Sequence, residues 1–256
     1  MRMLAIQSLL AMSLISSNDA LATQTCAARS GAQRVPLVEL YTSEGCSSCP
    51  PADHWLSTQL PAQQANFLAF HVDYWDDIGW PDRFASPAYS NRQRQRVASA
   101  GGDTVYTPQV MVGAEVNGNW RSRSLWQATL AAEQRQAPGV ALALQMTRTD
   151  DGWRVGIGAT GLAADVPNAR LWLARYVNGQ LTQVRAGENQ GRQLRHDRVV
   201  TGLLGPWPLS AGTLSQQAML PASTGDDWGI VAFAQTADGQ ILQSLQLAAS
   251  DCGPSS

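Results

Sequence analysis

Cys46-Ser47-Ser48-Cys49 stands between an apolar run and a helix start, and this context narrows the possible folds more than any other stretch of the chain. Before it, Val35-Pro36-Leu37-Val38-Glu39-Leu40-Tyr41 is β-prone and apolar enough for a buried strand. After it, Pro50-Pro51-Ala52-Asp53-His54-Trp55-Leu56 opens with residues tolerated in a first helical turn. Two thiols at a strand-to-helix turn can bond to each other and reopen. The helix start favours negative charge, so Cys46 reads as the thiolate nucleophile and Cys49 as the resolving thiol. Pro50 and Pro51 each remove a backbone donor near the thiols, which limits that effect.

The first residues read as a signal peptide over 1–22. Arg2 supplies positive charge, Leu4–Ile15 is apolar but too short to span a bilayer, and Ala20-Leu21-Ala22 is a small-x-small cleavage site. A short membrane anchor is the alternative, countered by that site and by the polar Ser16–Asp19 stretch. No later segment reads as a transmembrane helix. The expectation is an exported, soluble protein, periplasmic or secreted, with no membrane span after cleavage. In an oxidising compartment, isolated cysteines tend to pair. Cys26 and Cys252 are therefore expected to form a structural disulfide tying the chain ends, the alternative being two unpaired thiols.

The formal net charge is -2 with both signs mixed along the chain, and no sustained basic patch argues for a nucleic-acid partner. Composition shifts near Gln136-Ala137-Pro138-Gly139. Up to 137, from residue 23, strands (Val35–Thr42, Asn66–Asp73, Val110–Val112, Ala114–Val116) alternate with helical stretches (Ala52–Leu60, Asp82–Ala98, Ser122–Gln136), which favours an α/β layer fold. Over 138–256, β-like runs dominate. Asp150-Asp151-Gly152, Asn178-Gly179 and Asp238-Gly239 read as hairpin turns, and six or seven strands suggest an all-β sandwich-like domain.

Tyr106-Thr107-Pro108-Gln109-Val110 places a proline at a strand start. Strand, Cys-x-x-Cys, helix, then Thr107-Pro108 before a hairpin resembles the thioredoxin superfamily. The longer stretches Val38–Asp53, His71–Asp76 and Tyr106–Gln109 are similar to a family of secreted bacterial proteins with a thioredoxin-like core, largely of unknown function. The resemblance implies a thioredoxin-like N-terminal domain in which Pro108 is a cis-proline facing the cysteines. It also implies that Thr107 offers backbone groups to the substrate. It further implies a buried carboxylate in the preceding strand as proton acceptor. Glu39 is the candidate, one residue further from the cysteines than is usual, with a solvated or arginine-paired role as the alternative.

The expected function is an exported thiol–disulfide oxidoreductase. Its partners would be protein or small-molecule thiols and disulfides, together with a recycling partner the sequence does not name. No cofactor is implied and no metal set is assigned. Two further readings stay open: a soft-metal (copper) module using the same two thiolates, and a binding scaffold in which Cys46–Cys49 is a permanent disulfide. The redox reading requires an accessible sulfur at Cys46 opposite Pro108. Lesser candidates are His71 and Asp73, placed on one strand face, exposed His54, and the loop bearing Trp75, Asp76, Asp77 and Trp80. Residues Arg185, Glu188, Asn189, Arg192 and His196 crowd one segment; a plain solvated loop is the default reading and a docking loop against the first half the alternative.

Overall fold

The computed structural model describes residues 24–60, 64–162, 166, 168–210, 212–222, 225 and 227–253. The signal peptide expected over 1–22 lies outside them. In chain order the elements begin with β1 (Thr25–Arg29), β2 (Leu37–Thr42), α1 (Pro50–Gln59), β3 (Asn66–His71) and α2 (Pro87–Ser99). β4 (Gln109–Val112), β5 (Glu115–Val116), α3 (Arg123–Arg135), β6 (Ala141–Thr149), β7 (Gly152–Leu162) and β8 (Arg170–Val177) follow. The chain closes with β9 (Gln180–Gln183), β10 (Gln193–His196), β11 (Val199–Pro208), β12 (Gly212–Pro221), β13 (Trp228–Gln235) and β14 (Ile241–Ala248).

These strands make an eight-stranded sheet, β14-β13-β8-β11-β3-β2-β4-β5, a four-stranded sheet, β1-β6-β7-β12, and the β9–β10 ribbon. β2 pairs parallel with β3 and antiparallel with β4. Every residue of β2 and β3 is buried, because helices cover both faces. Val38 and Leu40 pack with Ala52, Leu56, Trp126 and Leu130 from α1 and α3. On the opposite face, Leu37 and Tyr41 meet Tyr89 of α2. Side chains alternate along a strand, so this face also takes Glu39.

The expected fold class is overturned. The chain is not a thioredoxin-like α/β domain followed by an all-β sandwich. It is mainly β, and both halves build one sheet: β11 joins β3 in parallel through Val199 and Ala69, and the amide of Ala69 donates to Arg198 O at 2.8 Å. Val200, Tyr176, Val231 and Phe233 from beyond residue 138 sit in the same apolar cluster as Leu37, Leu68 and Phe70. The four-stranded sheet also mixes the halves, because β1 pairs with β6. Its inner residues, among them Leu142, Leu144, Val155 and Ile157, bury against Leu171, Leu173, Ile230 and Ala232 of the larger sheet. The physical reason is that a β3 edge offers a row of unpaired N–H and C=O groups, and β11 covers it.

Two local expectations also fail. Asn178-Gly179 does not close a hairpin between its flanking runs, because β9 pairs with β10 while β8 pairs with β11 and β13. β3 stops at His71, so Asp73 does not share its strand face; Asp73 accepts from Ser90 of α2 instead. The turns at Asp150-Asp151 and Asp238-Gly239 do join antiparallel pairs, β6–β7 and β13–β14.

Candidate functional site: a closed Cys-x-x-Cys turn

Cys46 and Cys49 are bonded to each other, with their Cα atoms 5.4 Å apart, and Cys26 is bonded to Cys252 across a separation of 226 residues. Cys49 is the residue that caps α1, and Pro50 and Pro51 form its first positions. The turn is held tightly by its own backbone. Cys49 N donates to Cys46 O at 3.2 Å, and Ala52 N and Asp53 N both donate to Cys49 O, at 2.8 and 3.1 Å. The prolines have no N–H to give. So the helix start presents few backbone donors to a thiolate at Cys46.

The Thr107–Pro108 peptide is cis. Ser48 links the two regions: its Oγ lies 3.3 Å from Cys46 Sγ and donates to Thr107 O at 3.4 Å. Trp75 Nε1 donates to Thr107 Oγ1 at 2.8 Å, and Trp75 Cβ would stand 3.2 Å from a Cβ added at Gly45. The polar-aromatic loop therefore lies against the site.

Both sulfur-bearing residues have 0% exposure. This corrects the expectation of an accessible Cys46. The distant hairpin loop between β9 and β10 is bonded to the backbone of this turn. Asn189, itself fully buried, donates from Nδ2 to Glu44 O and to Cys46 O, each at 2.9 Å, and Glu188 accepts from Ser47 N at 3.0 Å. The loop can approach because Gly187 sits at φ 70 beside Gly79 and Trp80, where a Cβ would meet Trp80 Cβ at 3.2 Å.

Glu39 is not brought to the cysteines. It lies on the α2 face, ion-paired to Arg92 and Arg96 and accepting from Tyr41 Oη at 2.6 Å. Burial opposes its charge, but the two guanidiniums outweigh burial and hold its carboxyl below the usual range. The proton-acceptor expectation therefore gives way to the arginine-paired alternative, because strand alternation aims position 39 away from α1.

The carboxyl on the cysteine side is Asp53, one helical turn past Cys49. It accepts from Thr42 Oγ1 at 3.2 Å, and burial pushes it up against the pull of His196 and His71. His196 lies 3.7 Å from Asp53 and 3.5 Å from Glu44. His71 lies 2.6 Å from Asp82, and the two imidazole centroids are 4.9 Å apart. Burial alone would lower His71, but the Asp82 carboxylate beside it holds it above its ordinary value. His71 Nε2, Glu44 Oε1 and both His196 nitrogens have no hydrogen-bond partner. A cleft of about 500 Å³ between α1 and β10 opens onto Asp53, Ser57, His196 and Asp197. Asp53 and Asp82 were not singled out in the sequence as site residues; His71 was, as a lesser candidate on a strand face. Among the described residues, no group of three or more His, Cys, Asp or Glu side chains is arranged to hold a metal ion.

The fold and site together define a mainly β, disulfide-bonded protein with a Cys-x-x-Cys turn at a helix start. The chain belongs to the family described as protein of unknown function (DUF1223), whose model matches residues 37–235. That span contains the turn, Thr107-Pro108 and the β9–β10 hairpin, and excludes Cys26 and Cys252. Among solved structures, the chain is similar to protein AGR_C_4864 from Agrobacterium tumefaciens, with TM-score 0.66 and 26% identity over 86% of this chain and 96% of that one. It is also similar to HBP35 of Porphyromonas gingivalis, with TM-score 0.65 and 13% identity over 88% of this chain and 78% of that one, a likeness of fold alone. No curated protein matches the chain.

Proposed function

We propose that this chain is an exported thiol–disulfide oxidoreductase working through the Cys46–Cys49 pair on protein or small-molecule thiols. The observation that supports it is the joint placement of a three-residue-spaced disulfide at the mouth of α1 and the Thr107 carbonyl reached through Ser48. In the oxidising direction, a substrate thiolate attacks Cys46 Sγ. The Cys46–Cys49 bond breaks, a mixed disulfide forms on Cys46, and the electron pair leaves on Cys49 Sγ, which takes up a proton. A second substrate thiolate attacks the substrate sulfur of the mixed disulfide. The substrate leaves as a disulfide, and Cys46 and Cys49 remain as the dithiol. Reversal, with Cys46 attacking and Cys49 resolving, reduces a substrate disulfide. A separate thiol or disulfide partner then resets the pair.

Backbone groups of Thr107 and Pro108 align the substrate chain in this reading. Asp53 is the carboxyl suited to exchange the Cys49 proton, since burial favours its neutral form. Because both sulfurs are covered, the first attack follows displacement of the cover. The two disulfides support a periplasmic or secreted setting.

The same burial favours a second reading, in which Cys46–Cys49 is a permanent brace of a binding scaffold. Equilibration against glutathione separates the two. A pair that cycles, with turnover of a model disulfide lost in Cys46→Ser, supports the redox reading. A potential below about -300 mV, or full turnover in Cys46→Ser, supports the brace.

A further inference from the structure

Few backbone donors remain to stabilise a thiolate at Cys46. Pro50 and Pro51 have none, Ala52 and Asp53 spend theirs on Cys49 O, and Cys49 spends its own on Cys46 O. Ser47 N–H, next to Cys46 in the chain, is taken by the Glu188 carboxylate at 3.0 Å. Glu188 comes from the other end of the molecule. It is delivered by the β9–β10 loop, which Asn189 pins to Glu44 O and Cys46 O. Arg192 steadies that pin, donating to Asn189 Oδ1 at 3.2 Å. The charged or titratable groups around the turn are Glu44 ahead of it, Asp82, which accepts from Glu44 N, with His71 beside it, Asp53 and His54 on α1, His196 at the end of β10, and Glu188 and Arg192 in the loop. Among the described residues, Glu188 is the one whose charged group bonds the backbone of residues 46–49.

We propose that Glu188 is a positioning residue that restrains Cys46: its carboxylate occupies the Ser47 N–H and places a negative charge at the peptide that follows the nucleophilic cysteine. The inference rests on the redox reading of the pair and assigns its tuning to the C-terminal half. A carboxylate there makes a second negative charge at Cys46 costlier, so the thiolate fraction is smaller and the disulfide harder to reduce. The carboxyl of Glu188 is itself held below the usual range by its bonds to Ser47, so it is ionised at neutral pH. The exposed charge acts through water and is weakened by salt.

The test is Glu188→Gln in the full chain, which keeps an oxygen acceptor for Ser47 N–H and removes the charge. The protein is reduced with a phosphine, and iodoacetamide alkylation of the Cys46 peptide is followed by mass spectrometry against pH. The midpoint should fall, and the rate at neutral pH should rise on the order of threefold, the size of a screened interaction between neighbouring charges. Glu188→Asp should return the profile toward the wild type, and about 1 M salt should narrow the gap between wild type and Glu188→Gln. Superimposed wild-type and Glu188→Gln profiles, or a midpoint that rises, would overturn the assignment. Failure of the redox reading looks different: the wild-type pair does not equilibrate with glutathione, while alkylation of the chemically reduced protein still reports on Glu188.

Discussion

Glu39 and Asp53 show how one residue's environment decides its chemistry. Both are buried carboxyls near the Cys-x-x-Cys turn in sequence. Two guanidiniums outweigh burial and hold Glu39 ionised, while burial outweighs the pull of two imidazoles and pushes Asp53 toward its neutral form. Removing one arginine would leave Glu39 as an uncompensated buried charge. The His71–Asp82 pair carries a pH signature. His71 is raised in the folded state, so its contribution is complete below its unfolded value and is lost as pH rises through the folded value. Asp82 is lowered, so its contribution is complete above its unfolded value and is lost as pH falls through the folded one. The pair therefore contributes most between about pH 4 and about pH 6.5, the unfolded values of the two groups. Thermal unfolding of His71→Gln against the wild type should show its largest Tm deficit in that window, narrowing toward alkaline pH. A deficit that grows above neutral pH would contradict this assignment.

At the scale of elements, α1 and α3 cover one face of β2 and β3 through an aromatic cluster. Trp126 meets Trp55 at 4.8 Å and Phe67 at 6.3 Å between ring centroids, and donates to Gln59 Oε1 at 3.1 Å. Truncating Trp126 to Ala removes a buried ring and its bond to Gln59 Oε1, so a loss of about 3–5 kcal/mol is expected in urea unfolding. The elements themselves were largely legible. α1 and α3 and the strands β2, β4, β6 and β7 fall where apolar periodicity and turn residues place them, whereas α2 begins at Pro87 behind its Ser86 cap, not at Asp82, and β3 ends at His71, not at Asp73. β11 was not legible. Its sequence, Val199-Val200-Thr201-Gly202-Leu203-Leu204-Gly205-Pro206-Trp207-Pro208, carries two glycines and two prolines and lacks clean alternation. Its pairing with β8 is interrupted twice, between Val200 and Gly202 and between Leu204 and Trp207, so a regular pattern could not mark it. The β9–β10 ribbon was misread for a related reason: Asn178-Gly179 signals a turn, but a turn does not name its strand partner.

Across the whole molecule, the two halves are joined by sheet pairing, by shared apolar packing and by a covalent bond between the ends. A double Cys26→Ser and Cys252→Ser variant should lose up to about 5 kcal/mol, the chain-entropy value for so long a loop, read as a lowered Tm with the turn at Cys46–Cys49 still oxidised. An unchanged Tm would mean that sheet pairing alone holds the ends. The candidate site is likewise assembled across the molecule, since Glu188, Asn189 and His196 reach it from β-rich sequence far beyond the turn.

From residues alone came the local chemistry: a dithiol at a strand-to-helix turn, a proline-led strand beside it, and a pair of isolated cysteines at the ends. Such signals reside in short windows, where periodicity, turn residues and spacing act directly on the backbone. Tertiary structure alone decided that one sheet runs through both halves, that Glu39 faces away from the thiols, and that a distant hairpin bonds to the backbone around them. Those outcomes depend on which strand edge finds which partner, a competition among non-local pairings that no short stretch of sequence records.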